Sequence, residues 1–187
     1  SYSRSFHCSM EEHAESLSEC GIWGVDFLMI LVTLGTQDKS FVRLLDAIER
    51  AAEQKAIQEE IIVQAGYTHF ESKYMKITDY FDQETFKDMI AKADLLITHG
   101  GAGSIMTALK AGKKILAAAR LSAYAEHTND HQTQLLESFD AAGYLIYMRD
   151  LSDIRPYLKQ AETFEPAAFT SNTAHMISIL QEYIETH

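Results

Sequence analysis

The chain has 187 residues, 47% of them hydrophobic and 23% charged, which suits one globular domain with a core of its own. Its formal net charge of −11 repels phosphate backbones, so nucleic acid is not an expected partner, and broad contact with anionic lipid is disfavoured as well. The apolar runs are strand-sized, too short for a helix that crosses a bilayer, and the first residues lack the basic flank and apolar stretch of a secretory signal.

Residues 1–28 are rich in Ser, Glu, His and Cys and have no firm period beyond a weak helical stretch over 10–20. They read as an N-terminal extension, disordered or non-native, ahead of one domain over 29–187. Cys8 and Cys20 both fall in this leader, which argues against a disulfide framework and for a reducing, cytoplasmic setting.

From Met29 onward, strands and helices alternate. Strands are expected at 29–33, 60–64, 75–79, 94–98, 114–119 and 144–148. Helices are expected at 40–54, 83–93, 103–111, 130–142, 152–160 and 171–185. Ser40 is the expected cap of the first, whose apolar positions Phe41, Leu44, Leu45 and Ile48 share one face. Phe86, Met89 and Ile90 are the inward positions of the second. Asp130 is placed to cap the helix that Gly143 stops. Near-continuous apolar strands between helices predict an α/β fold, a Rossmann-like doubly wound parallel sheet covered on both faces. Ligands of such sheets bind at the carboxyl ends of the strands.

Three loops there bear glycine: Leu34-Gly35-Thr36, Gln64-Ala65-Gly66, and the segment from His99 through Gly100, Gly101, Ala102, Gly103 and Ser104. In the last, missing side chains leave the N–H groups of a helix start open to an anion such as a diphosphate. The same glycines would equally serve a tight turn that packs helix on strand. The loop lacks the Gly-Lys-Ser/Thr of a P-loop and the Gly-x-Gly-x-x-Gly of a dinucleotide fold, so ATPase and nicotinamide chemistry are not expected. Glu126, His127, Asp130, His131 and Gln132 cluster downstream. Their spacing matches no zinc pattern and no cysteine is near, so polar contacts to a sugar or ribose are expected there, with no metal and no cofactor. Lys113, Lys114 and Arg120 read as a solvated face.

Together, "VTLGT" (32–36), "VQAG" (63–66), "ITDYF" (77–81), "ADLLITHGGAGSIMTALKAGK" (93–113) and "EHTNDHQ" (126–132) resemble the C-terminal domain of glycosyltransferase family 28. The likeness covers about residues 29–150. It extends to stand-alone donor-binding subunits of two-subunit UDP-sugar transferases, both the eukaryotic dolichol-linked UDP-N-acetylglucosamine kind and the small subunits of bacterial exopolysaccharide transferases. It implies the C-terminal half of a GT-B architecture, which holds most of a UDP-sugar donor. It also implies an inverting transfer of a hexose or N-acetylhexosamine to a lipid-linked acceptor. With only 28 residues ahead of Met29, it implies a membrane-associated acceptor-binding partner that brings this chain to the cytoplasmic face of a membrane. The alternative is a non-catalytic, regulatory nucleotide-sugar-binding module.

The resemblance assigns roles residue by residue. Gly100, Gly101, Ala102, Gly103 and Ser104 match the loop around the UDP diphosphate. Tyr80 and Phe81 match the segment that meets the uracil. His131 and Gln132 match the pair that approaches the donor sugar, and Gly35 and Thr36 the first loop of the cleft. His99 matches a histidine before the glycines, either a catalytic base or a satisfied strand-end residue; no other general base is evident. Thr107 departs from the pattern, because many relatives carry a glutamate there for the ribose hydroxyls. Glu126 is the candidate to replace it.

Overall fold

A computed structural model describes residues 29–36, 38–126, 131–169 and 178. The leader over 1–28, Asp130 and most of the helix expected at 171–185 lie outside the described residues. Strands β1 (Met29–Thr33), β2 (Glu60–Gln64), β3 (Met75–Thr78), β4 (Leu95–His99), β5 (Lys114–Ala118) and β6 (Ile146–Tyr147) form one sheet in the order β3-β2-β1-β4-β5-β6. Every neighbouring pair is parallel. The doubly wound sheet expected from the alternating pattern is therefore present. No helix among the described residues is long and apolar enough to cross a membrane.

Side chains alternate across the strands and feed two cores. Ile30, Val32, Ile61, Val63, Leu95 and Ile97 pack on one face, with Leu44, Leu45 and Ile48 of α1 (Val42–Glu53) and Leu158 of α5 (Arg155–Thr163). Leu31, Leu96, Ile115 and Ala117 pack on the other. There they meet α2 (Gln83–Lys92), α3 (Ala102–Lys110) and α4 (His131–Ala141) through Ile90, Ile105, Leu109, Leu135 and Phe139. A sheet buried on both faces needs apolar residues at successive positions, which is why its strands read as unbroken runs.

Several boundaries differ from the expectation. Ser40 does not cap α1. Phe41 holds the N-cap position, fully buried, and its N–H donates to Thr68 Oγ1 at 3.0 Å, a partner from a distant loop. Asp94 precedes β4 instead of opening it: Asp94 N–H donates to the Met29 carbonyl, and Met29 N–H to Asp94 Oδ2, both at 3.0 Å. β4 consequently runs through His99 and α3 begins at Ala102, so only Gly100 and Gly101 join them. α5 begins at Arg155 and not near 152, since Pro156, lacking an N–H, is tolerated in a first turn. The last strand keeps only Ile146 and Tyr147. Tyr144 and Leu145 are spent packing into the second core.

Candidate functional site

The strand order reverses between β1 and β4, which pair in register from Ile30–Leu95 to Thr33–Thr98. At such a switch point the loops leaving two adjacent strands diverge to opposite faces, and a crevice opens between them. The loop after β1 carries Gly35 and exposed Thr36; the loop after β4 carries Gly100 and Gly101. Gly66, after β2, lies against the first loop: a Cβ built on it would stand 2.5 Å from the Gly35 carbonyl oxygen. All three glycine loops therefore share one edge, as expected.

The glycines serve different ends. Gly35, at φ +73°, would meet the His99 ring at 2.5 Å if it had a Cβ, and Gly101 would meet His99 Nε2 at 2.3 Å. A Cβ on Gly100 would stand 2.8 Å from Gln132 Cβ. These positions are glycine because the protein's own side chains fill the space. Gly103 is the exception. Apart from its chain neighbours and the backbone of its own helix, no described atom lies within 4 Å of its missing Cβ, and the residue is exposed. It occupies the first turn of α3, whose N-cap residue Gly101 supplies no side-chain cap. Gly35, Gly100 and Gly101 thus serve close packing, while Gly103 leaves open space at the start of α3.

His99 is 6% exposed, wedged between the loops after β1 and β4, with Nδ1 3.4 Å from the Thr33 carbonyl and 3.5 Å from Thr98 Oγ1. Ser104 is half-buried beside Gly103, and Ala102 packs onto the second core. Thr107 donates back to the Gly103 carbonyl at 2.9 Å, one helical turn earlier. On the β3 side, Phe81 leans on the second core and its N–H donates to Gln64 Oε1 at 3.1 Å. Tyr80 stays exposed, edge-on to Tyr67 with ring centroids 6.1 Å apart.

The packing bears on two expectations. Glu126, the candidate for the ribose, is engaged by the protein's own groups. It is buried, it receives Arg43 Nε at 3.1 Å and Nη2 at 2.9 Å, and it accepts the Leu121 N–H at 3.1 Å. Arg43 also donates to the Ala119 carbonyl and lies over the Tyr124 ring, so this network fastens the β5–α4 loop to α1. The cations do not form a solvated face. Arg120 is 1% exposed and donates to the carbonyls of Leu34 and Lys39. Lys113 reaches the Ala91 carbonyl near the end of α2, and Lys114 the Ala161 and Glu162 carbonyls near the end of α5, where a cation suits the helix dipole.

Gln132 is buried, and its Oε1 accepts the Arg120 N–H at 3.0 Å while its stem presses on Gly100. It lies at the floor of the glycine loop. His131 opens α4, with its side chain outside the described part of the structure, as are residues 127–130. Sequence reasoning missed Gln64, Arg43 and Arg120 as builders of this edge. The signal for Arg120 was its place at once after an apolar strand, where a lone cation is costly unless paired.

The sequence model of one domain family, described as Glycosyltransferase family 28 C-terminal domain, matches residues 29–186. Among curated proteins, the chain is 28% identical over 127 residues to human UDP-N-acetylglucosamine transferase subunit ALG13, covering 63% of this chain and 11% of that protein. The chain thus matches about a tenth of that relative's length. Among solved structures it is similar to CalG4, the calicheamicin glycosyltransferase, with a TM-score of 0.55 and 14% identity over 84% of this chain and 38% of that one. It is also similar to the NMR solution structure of ALG13, with a TM-score of 0.52 and 17% identity over 84% of this chain and 95% of that one. MurG of Acinetobacter baumannii gives a TM-score of 0.50 at 19% identity over 71% of this chain and 39% of that one. Likeness at these identities establishes a shared fold, that of the C-terminal Rossmann-like half of GT-B glycosyltransferases.

Proposed function

This chain belongs to the family of glycosyltransferase family 28 C-terminal domains, and we propose on that basis that it is the donor-binding half of an inverting UDP-sugar glycosyltransferase. The observation that carries the reading is the open first turn of α3 at the switch point. There Gly103 is exposed, and the N-cap residue, Gly101, brings no side chain to cap the helix. A UDP diphosphate seated against this turn accepts N–H donors and gains from the helix dipole. The same groups stabilise the UDP leaving group as its charge develops during transfer. The exposed Tyr80 and the tethered Phe81 follow β3, two strands away from β1 on the same edge of the sheet, and the family resemblance assigns them to the uracil and Gln132 to the donor sugar.

The transferred group is a hexose or N-acetylhexosamine and the acceptor is lipid-linked, in polysaccharide or glycan assembly. The human relative is named a subunit, which supports a partner that supplies the acceptor site and recruits this chain to the cytoplasmic face of a membrane. That partner supplies the general base too. His99 is packed as a wedge between loops, with little of the access that a base for an incoming hydroxyl requires.

Calorimetric titration with UDP, UDP-N-acetylglucosamine, UDP-glucose and UDP-galactose, against ADP and NAD, tests the donor assignment. Uridine compounds are expected to bind and the other two not to. Binding of NAD in preference to UDP would overturn it. One observation favours a second reading, a nucleotide-sugar-binding module without catalysis: Thr107 has only a hydroxyl, which is bonded to its own helix, and the Glu126 carboxylate is paired with Arg43. Transfer of labelled sugar by the chain reconstituted with its membrane partner separates the two.

A further inference from the structure

Arg120 stands two residues beyond β5, the strand beside β4, in the loop that leads to α4. Yet one guanidinium reaches both ends of the first loop: Nη2 donates to the Leu34 carbonyl and Nη1 to the Lys39 carbonyl. Gly35 and Thr36 lie between those two anchors. A planar fork that holds two carbonyls fixes the separation and direction of the loop's ends in a way that a single ammonium does not. The residue's backbone N–H is taken by Gln132, whose stem is the group against which Gly100 is packed. Arg120 therefore joins the first loop, the glycine loop and the start of α4.

The arrangement is not the one that best satisfies the arginine itself. Its side chain is fully buried, and Nε finds no hydrogen-bond partner among the described residues. The ring of Phe41, with its centroid 5.5 Å from the guanidinium carbon, lies beside it. A buried cation with one orphaned donor is costly, and an apolar residue of similar volume would fill a core more cheaply. What the arginine alone provides is the two-carbonyl clasp.

We propose that Arg120 is the positioning residue of the donor crevice: it holds the two ends of the first loop, at Leu34 and Lys39, and through them sets the affinity for the nucleotide, without touching the ligand. The proposal rests on the donor-site reading above. In the full chain, Arg120→Lys keeps charge and stem but loses the fork, and Arg120→Met tests the apolar replacement. Leu158→Ala, in α5, serves as a core control that lowers stability without touching the clasp.

UDP affinity is read by calorimetry, and hydrogen exchange is read amide by amide. The expected result is UDP binding weakened roughly tenfold in Arg120→Lys, with faster exchange confined to about residues 34–41. Leu158→Ala is expected to keep UDP affinity within about twofold. UDP binding by Arg120→Lys equal to wild type, or an equal loss in Leu158→Ala, overturns the proposal. If wild type itself does not bind UDP, the donor-site reading fails, and the exchange measurement still decides on Arg120. Unchanged protection of residues 34–41 in both Arg120 variants overturns the clasp. Should Arg120→Met not fold, Arg120→Lys carries the test alone.

Discussion

His99 occupies the place where a side chain on Gly101 would stand: a Cβ there would lie 2.3 Å from Nε2 and 2.8 Å from Cε1 of the imidazole. The ring is buried and confined on its other side by Gly35, so it cannot swing clear. Gly101→Ala is therefore expected to destabilise the domain by about 1–3 kcal/mol, the usual range for overpacking. Urea unfolding measures it. The cost should shrink when His99→Ala is combined with Gly101→Ala, because the second change removes the obstacle to the first. Strict additivity of the two would show that the ring and the glycine do not compete for space.

Much of the fold was legible because each strand's apolar run and each helix's face carry the same periodic signal. Phe41, Leu44, Leu45 and Ile48 were expected on one face of α1, and all four are fully buried. What was not legible came from contacts distant in sequence. Thr68 takes the N–H of Phe41 and displaces the expected Ser40 cap; Asp94 is drawn to Met29 and shifts β4 by one residue. The site shows the same division. The three glycine loops could be placed on one edge from the pattern alone. That most of their glycines make room for His99, Gln132 and each other depends on packing between loops, which spacing does not encode.

The Arg43–Glu126 pair gives a second test. Glu126 accepts three donors while nearly excluded from water. Glu126→Ala strands the partly exposed Arg43 and the Leu121 N–H, and should cost about 1–3 kcal/mol. Arg43→Ala combined with it should cost less than the sum of the two. Denaturant unfolding of the cycle reads the coupling. Were Glu126 a ribose ligand instead, its removal would weaken UDP binding with little change in stability.

Acid stability depends in part on Asp82. It caps α2 by accepting the Thr85 N–H at 2.9 Å and the Thr85 hydroxyl at 2.6 Å. The side-chain bond from Thr85, then its backbone N–H, holds the Asp82 carboxyl below the ordinary aspartate value of 3.8. A depressed folded-state pKa means that the stabilisation is fully present above the unfolded value. It is lost as the pH falls through the folded one. Asp150 and Asp153 are shifted the same way, the first by Ser152 and the second by Arg155. Unfolding followed between about pH 5 and pH 2 should therefore show a shallower acid slope in Asp82→Asn than in wild type. Identical slopes would remove Asp82 from the cause.

Thr107 gives a test of whether α3 faces a ribose. Its hydroxyl is spent on the Gly103 carbonyl, and family resemblance puts a carboxylate at this position. Thr107→Glu is expected to raise UDP affinity about tenfold, the scale of a charge-assisted hydrogen bond. Affinity for inorganic pyrophosphate, which has no ribose, should not rise. An equal change for both ligands would mean that residue 107 does not face a ribose.

The most direct measurement pairs UDP titration with thermal unfolding for wild type and Gly103→Ala. No described atom crowds position 103, and it lies within a helix. Alanine should therefore stabilise the fold by about 0.5–1 kcal/mol. If a diphosphate seats on this turn, the added methyl group should at the same time weaken UDP binding roughly tenfold or more. Higher stability together with lower UDP affinity is the expected result. A wild-type chain that does not bind UDP, or a Gly103→Ala variant that binds it unchanged, would contradict the assignment of the α3 turn as the donor diphosphate site.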